Sequence, residues 1–139
     1  MDMHRKRLIG AVLAGLAWGM AAPEARAFDI LTGTLKTISD RGSITLGYRE
    51  SSLPFSFKDA AGKPVGYALD LCLEIVEDIG KELGRSDLTV RYEPVTSETR
   101  IDAVTSGRID LECGSTTANA ERRKRVAFSP VTYFSATKL

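Results

Sequence analysis

The chain has 139 residues, with 19 Lys and Arg against 18 Asp and Glu, a single histidine and two cysteines. That length suits one ordinary domain. The near-neutral balance argues against a general nucleic-acid binder, which carries a strong basic excess.

The N-terminus reads as a secretory signal peptide rather than as part of the fold. Met1 to Arg7 carries His4, Arg5, Lys6 and Arg7, Leu8 to Ala22 is an apolar run, and Ala25-Arg26-Ala27 fits a small-x-small cleavage pattern. The run is short for a membrane span, which needs about 20 residues. Cleavage is expected after Ala27, giving an exported protein. Met1–Ala27 contains four of the 19 Lys and Arg and two of the 18 Asp and Glu, so the remainder stands near −1. His4 and Trp18 leave with this segment. A mature chain without histidine builds no Ser-His-Asp or Cys-His site and lacks the commonest transition-metal ligand. No metal and no cofactor is expected, and no G-x-G-x-x-G or Walker-type loop is present.

Thr34 to Arg41 reads as a short helix, with Leu35 and Ile38 on one face and Gly42 as its stop. Ser43 to Tyr48 alternates Ile44 and Leu46 with Thr45 and Gly47, the pattern of a strand. Arg49 follows at the strand's C-terminal end, where ligands gather in open α/β sheets. It is a candidate anion ligand, or else a solvated partner of Glu50. Phe55-Ser56-Phe57 and Val65-Gly66-Tyr67 flank Lys58 to Pro64 and read as a hairpin. Phe55, Phe57 and Tyr67 either wall a cleft or pack within that hairpin.

Leu69 to Leu83 places Leu69, Cys72, Leu73, Val76, Ile79 and Leu83 at helical spacing, with Gly84 behind. Leu88 to Glu93 alternates like a second strand and Pro94 ends it. Thr96 to Ser106 is the next expected helix, stopped by Gly107. On it Ser97 and Arg100, three apart, share one face near the positive end of the dipole. Ile109 to Cys113 is the third strand.

Beyond it, Gly114-Ser115-Thr116-Thr117 leads into a helix expected over Ala118 to Arg125. A strand turning through small hydroxyl residues into a helix leaves free N–H groups for an anion, and Arg122 stands where it can close on the same anion. The alternative is that Thr117 only caps the helix while Arg122 faces water. Val126 to Phe128 and Val131 to Ala136 read as further strand-like pieces around Pro130. Cys72 and Cys113 form either a disulfide, permitted in an exported protein, or two buried thiols.

The alternation of strands and helices predicts an α/β fold with a mainly parallel sheet flanked by helices. Arg49, Ser97 with Arg100, and Ser115 with Thr117 and Arg122 all fall on the strand-end side. Three arginines suit a ligand with two negative groups. A neutral sugar would call for aromatic platforms and side-chain amides.

At these residues the chain resembles the family 3 extracellular solute-binding proteins of bacterial ABC transporters. The matching pieces are Gly47-Tyr48-Arg49-Glu50-Ser51-Ser52, Pro54-Phe55-Ser56, Val65-Gly66-Tyr67, Val95-Thr96-Ser97 with Arg100-Ile101, and Glu112-Cys113-Gly114-Ser115-Thr116-Thr117 with Glu121-Arg122. The Arg-Glu-Ser-Ser and Glu-Cys-Gly-Ser-Thr-Thr pieces resemble those of the members that bind glutamate and aspartate. The resemblance implies a periplasmic-binding-protein-like lobe, binding of an acidic amino acid, and delivery to an ABC-transporter permease. It implies a periplasmic location, that Arg49, Ser97 and Arg100 hold the ligand's side-chain carboxylate, and that Ser115, Thr117 and Arg122 hold its α-carboxylate and help with its ammonium group.

Members of the family are roughly twice as long, so residues 28–139 are expected to form a first lobe, truncated before the second. The same fold also hosts dehydratases acting on cyclic carboxylates. A cyclohexadienyl-dehydratase-like enzyme would need a cleft acid, for which Glu50 and Glu112 are the candidates. A nonfunctional fragment is the third alternative.

Overall fold

The computed structural model describes residues 31–134. The expected signal peptide and its cleavage after Ala27 lie outside the described residues. Ten elements follow in order: α1 (Gly33–Arg41), β1 (Ser43–Tyr48), β2 (Ser51–Ser52), β3 (Ser56–Lys58), β4 (Pro64–Val65), α2 (Tyr67–Glu82), β5 (Thr89–Pro94), α3 (Arg100–Thr105), β6 (Leu111–Cys113) and α4 (Ala120–Arg123).

β1 is the centre of a three-stranded sheet of order β5-β1-β6, and both its pairings are parallel. It pairs with β5 from Ser43 opposite Thr89 to Tyr48 opposite Pro94, and with β6 from Leu46 opposite Leu111 to Tyr48 opposite Cys113. All of β1 but Thr45 is buried. A strand covered on both faces is the normal condition of a parallel sheet. On one face Ile44, Leu46 and Tyr48 meet Leu69, Cys72 and Val76 of α2, together with Ile38 and Cys113. Burying each such aliphatic side chain contributes roughly 1.5–3 kcal/mol. The other cluster gathers Val95, Ala103 and Ile109. There Gly47 is required, because a Cβ on it would collide with Cδ1 of Ile109.

α2 begins two residues earlier than the periodicity indicated, and its end is set by chain reversal. Gly84 adopts φ of 62°, and the amide of Arg85 donates to the carbonyl of Gly80 at 2.8 Å. The left-handed glycine and the backward bond close the last turn as a C-cap. Gly42 ends α1 in the same way, at φ of 66°. The sulfurs of Cys72 on α2 and Cys113 at the end of β6 are joined, with 6.2 Å between the α-carbons. The bridge ties the main helix to the strand that leads into the hydroxyl-rich loop.

β2, β3 and β4 form a small antiparallel sheet of their own between β1 and α2. Two expectations need correction here. The helix expected over Thr96 to Ser106 is regular only over Arg100–Thr105. Thr96 Oγ1 accepts from the amides of Glu98 and Thr99, and Thr99 Oγ1 accepts from the amide of Thr96, which holds residues 96–99 in a capping turn. The strand-like stretch at 126–134 has no regular structure among the described residues. No neighbouring strand offers it a ladder, so β propensity alone does not make it a strand. It folds over the hairpin instead. Tyr67 Oη donates to the carbonyl of Thr132 at 3.0 Å, and the Tyr133 ring stands edge-on to Phe55 at 4.8 Å.

Candidate functional site

The C-terminal ends of β1 and β6, the turn before α3 and the loop after β6 meet at one end of the parallel sheet. Arg49, directly after β1, is anchored by its own amide, which donates to Ser56 Oγ at 2.9 Å. Its guanidinium reaches outward, and Nη1 donates to Ser97 Oγ at 3.0 Å. Ser97 therefore joins the site from the capping turn and not from the face of α3.

The turn before α3 is closed by its own hydroxyls. The amides of Glu98 and Thr99 are occupied by Thr96 Oγ1, and α3 is only six residues long. Arg100, the first residue of α3, is buried, with 6% of its surface exposed. Its Nε and Nη1 have no hydrogen-bond partner among the described residues. Glu112 Oε1 is the nearest carboxylate oxygen, 4.0 Å from Nη1 and too far for a hydrogen bond.

Burial pushes the Arg100 guanidinium below the ordinary arginine range, Glu112 opposes the shift, and the like charges of Arg122 and Arg49 add to it. The Glu112 carboxyl is pushed up by burial and held back by Thr116 and by Arg100, Arg49 and Arg122. The exposed Glu98 carboxyl is lowered, first by the Thr96 hydroxyl and then by its own amide, with Arg49 and Arg100 contributing less. Arg49, Arg100 and Arg122 all act electrostatically on Glu112, and Arg49 and Arg100 on Glu98.

The loop after β6 differs from its expected form. The helix expected over Ala118 to Arg125 is regular only over Ala120–Arg123, and Asn119, not Thr117, is its cap, accepting from the amide of Arg122 at 2.9 Å. Residues 114–118 are irregular and alternate in exposure, with Ser115 and Thr117 open to solvent and Thr116 turned inward. This alternation puts the Ser115 and Thr117 side chains on one side of an extended segment. The Thr116 hydroxyl is buried without a hydrogen-bond partner among the described residues. Arg122 folds back on the loop, its Nη1 donating to the Thr117 carbonyl at 2.9 Å. A four-residue helix contributes little dipole at its start.

Ser115 and Thr117 line a cavity of about 400 Å³ together with Phe55, Tyr67 and Tyr133. Phe57 is not part of its wall. Arg49, Ser97, Arg100 and Arg122 do not line it either. Gly114 lines the cavity and also borders this charged region, since a Cβ on it would stand 2.5 Å from Glu112 Oε1 and 3.1 Å from Cγ of Arg49. Glu112 and Gly114 were not among the ligand-site residues read from the sequence. The signal for them was their place inside the Glu-Cys-Gly-Ser-Thr-Thr piece itself. Of the two acids that an enzyme on this fold would draw on, one faces solvent and the other is largely buried. Glu50 is ion-paired with Lys58 at the surface, and Glu112 Oε1 is buried. Among the described residues there is no cluster of three or more metal-ligating side chains, and no helix is long and apolar enough to cross a membrane.

Comparison with known proteins agrees with this architecture. The L-glutamate/L-aspartate-binding protein of Pseudomonas aeruginosa is 53% identical over 112 residues, covering 80% of this chain and 37% of the relative. The glutamate/aspartate import solute-binding protein of Escherichia coli is 45% identical over 130 residues, covering 93% of this chain and 41% of the relative. The chain therefore spans less than half the length of these relatives. Among solved structures, a variant of the arginine-bound form of domain 1 from TmArgBP superposes with a TM-score of 0.62 at 28% identity, covering 71% of each chain. Residues 44–139 match the family model for bacterial extracellular solute-binding proteins, family 3, and the chain belongs to that family.

Proposed function

We propose that residues 28–139 form a lobe that binds acidic amino acids, L-glutamate or L-aspartate, in the periplasm and serves uptake through an ABC-transporter permease, with residues 1–27 as the export signal. The observation that carries this reading is Arg100, a buried guanidinium with unpartnered Nε and Nη1, electrostatically coupled to Arg49 and Arg122. A buried charged donor without an acceptor is costly to leave unmade, and a carboxylate meets a guanidinium's planar fork with two oxygens. Arg49, Ser97 and Arg100 are assigned to the ligand's side-chain carboxylate. Ser115, Thr117 and Arg122 are assigned to its α-carboxylate. The glutamate/aspartate-binding relatives support the ligand class. The arginine-bound domain 1 supports an amino acid being held by a single lobe.

The reading is tested by NMR titration of the isotope-labelled 139-residue chain with L-glutamate, L-aspartate, L-glutamine and L-arginine. Saturable shifts at residues 97–100 and 114–122 are expected with the two acidic ligands, and weaker ones with glutamine. Arg49 and Arg122 are partly solvated, where each charge pair contributes little, so the affinity of this chain is expected to be micromolar or weaker. Preference for L-arginine, or no response to either acidic ligand at millimolar concentration, would overturn the assignment.

A further inference from the structure

Glu112 stands in the middle of the residues assigned to ligand without being one of them. Its side chain is 14% exposed, and Oε1 is buried without a hydrogen-bond partner. Gly114 makes room for that oxygen, which occupies the space a methyl group would need. The carboxylate lies against Arg100 and acts electrostatically on Arg49 and Arg122 as well. One carboxylate therefore stands beside the Arg100 guanidinium and close to Arg49, with Oε1 turned away from solvent.

We propose that Glu112 sets the charge selectivity of the arginine cluster, so that it favours a dicarboxylate bearing an ammonium group over the same dicarboxylate without one. The inference deepens the acidic-amino-acid reading and rests on it. L-Glutamate carries one net negative charge at neutral pH, and glutarate, of the same length but without the ammonium, carries two. The two ligands differ by that one positive group, so Glu112 favours L-glutamate through its attraction for the ammonium. At roughly 8 Å and an effective dielectric of about 20, after screening, one unit of ligand charge is worth on the order of tenfold in affinity. Without Glu112 the three guanidinium groups would draw in whichever dianion was available. With it, the cluster is matched to an amino acid.

The test titrates the labelled 139-residue chain and its Glu112→Gln variant with L-glutamate and with glutarate at pH 8 and low salt. Glutamine keeps the shape and removes the charge. Glu112→Gln is expected to tighten glutarate about tenfold more than it tightens L-glutamate, a ratio that a purely structural role would not move. An unchanged ratio overturns the proposal. If the parent chain takes neither probe, the acidic-amino-acid reading fails and this inference is overturned with it, whereas binding of both with an unchanged ratio overturns this inference alone. Glu112→Met, a second neutral side chain of similar length, gives the same reading should Glu112→Gln not fold, and failure of both variants to fold overturns the proposal.

Discussion

Arg49 Nη1 donates to Ser97 Oγ at 3.0 Å, joining two residues 48 positions apart in sequence. The bond links the end of the central strand to the turn that presents Arg100. It also holds a long, otherwise mobile guanidinium in one direction before any ligand arrives. Ser97→Ala is expected to weaken L-glutamate binding about fivefold through lost preorganisation, while the melting temperature moves by less than about 2 °C, since the bond is exposed. Arg100→Ala should abolish the ligand response altogether. An unchanged titration would remove Arg100 from the site.

Gly114→Ala tests how tightly the two regions of the site are packed together. The added methyl would meet Glu112 Oε1 at 2.5 Å and Cγ of Arg49 at 3.1 Å. Both side chains would have to shift, and Arg49 would lose its alignment on Ser97. A loss of about tenfold in L-glutamate affinity is expected with the fold retained, measured by the same titration and by backbone amide dispersion.

Gly47→Ala addresses the fold rather than the site. Its methyl would collide with Cδ1 of Ile109, and overpacking of this kind costs about 1–3 kcal/mol. Ile109→Val removes the colliding carbon. The double variant is therefore expected to recover most of the stability lost by Gly47→Ala in urea unfolding, although Ile109→Val alone is destabilising.

Cys72 and Cys113 close a loop with a sequence separation of 41. In the chain-entropy model a bridge over such a loop contributes about 4 kcal/mol. Cys72→Ser with Cys113→Ser, or reduction of the intact protein, should lower the urea midpoint accordingly. Intact-mass measurement after alkylation without reductant should find no modified thiol.

The Glu112 carboxyl is raised by burial, with Thr116, Arg100, Arg49 and Arg122 opposing the shift. A carboxyl raised in the folded state holds its proton there at a pH where the unfolded chain has released it. Stability therefore falls as pH rises from the ordinary carboxylate range through the raised value. Glu112→Gln should flatten that part of the stability-pH profile. An identical slope in the two proteins just above the ordinary carboxylate range would show that Glu112 does not titrate as described.

Much of the lobe was legible in the sequence because its elements carry strong local signals. Alternation over Ser43 to Tyr48 marked β1 to the residue, the apolar spacing within Leu69 to Leu83 marked most of α2, and Gly42 and Gly84 marked the reversals behind α1 and α2. Periodicity and left-handed glycines act over a few residues, so one chain is enough to read them. The sequence also named Arg49, Ser97, Arg100 and Arg122 as a set. What it could not supply was how they are held. The shortening of α3 and α4, the irregular course of 126–134 and the Arg49–Ser97 bond depend on which hydroxyls, carbonyls and strand edges happen to stand nearby. The bridge between Cys72 and Cys113 is of the same kind, since it needs two distant backbones brought within reach. So is the burial of Glu112 beside Arg100. Solvent exclusion and the distance between charges are properties of the packed chain, and only the tertiary structure fixes them.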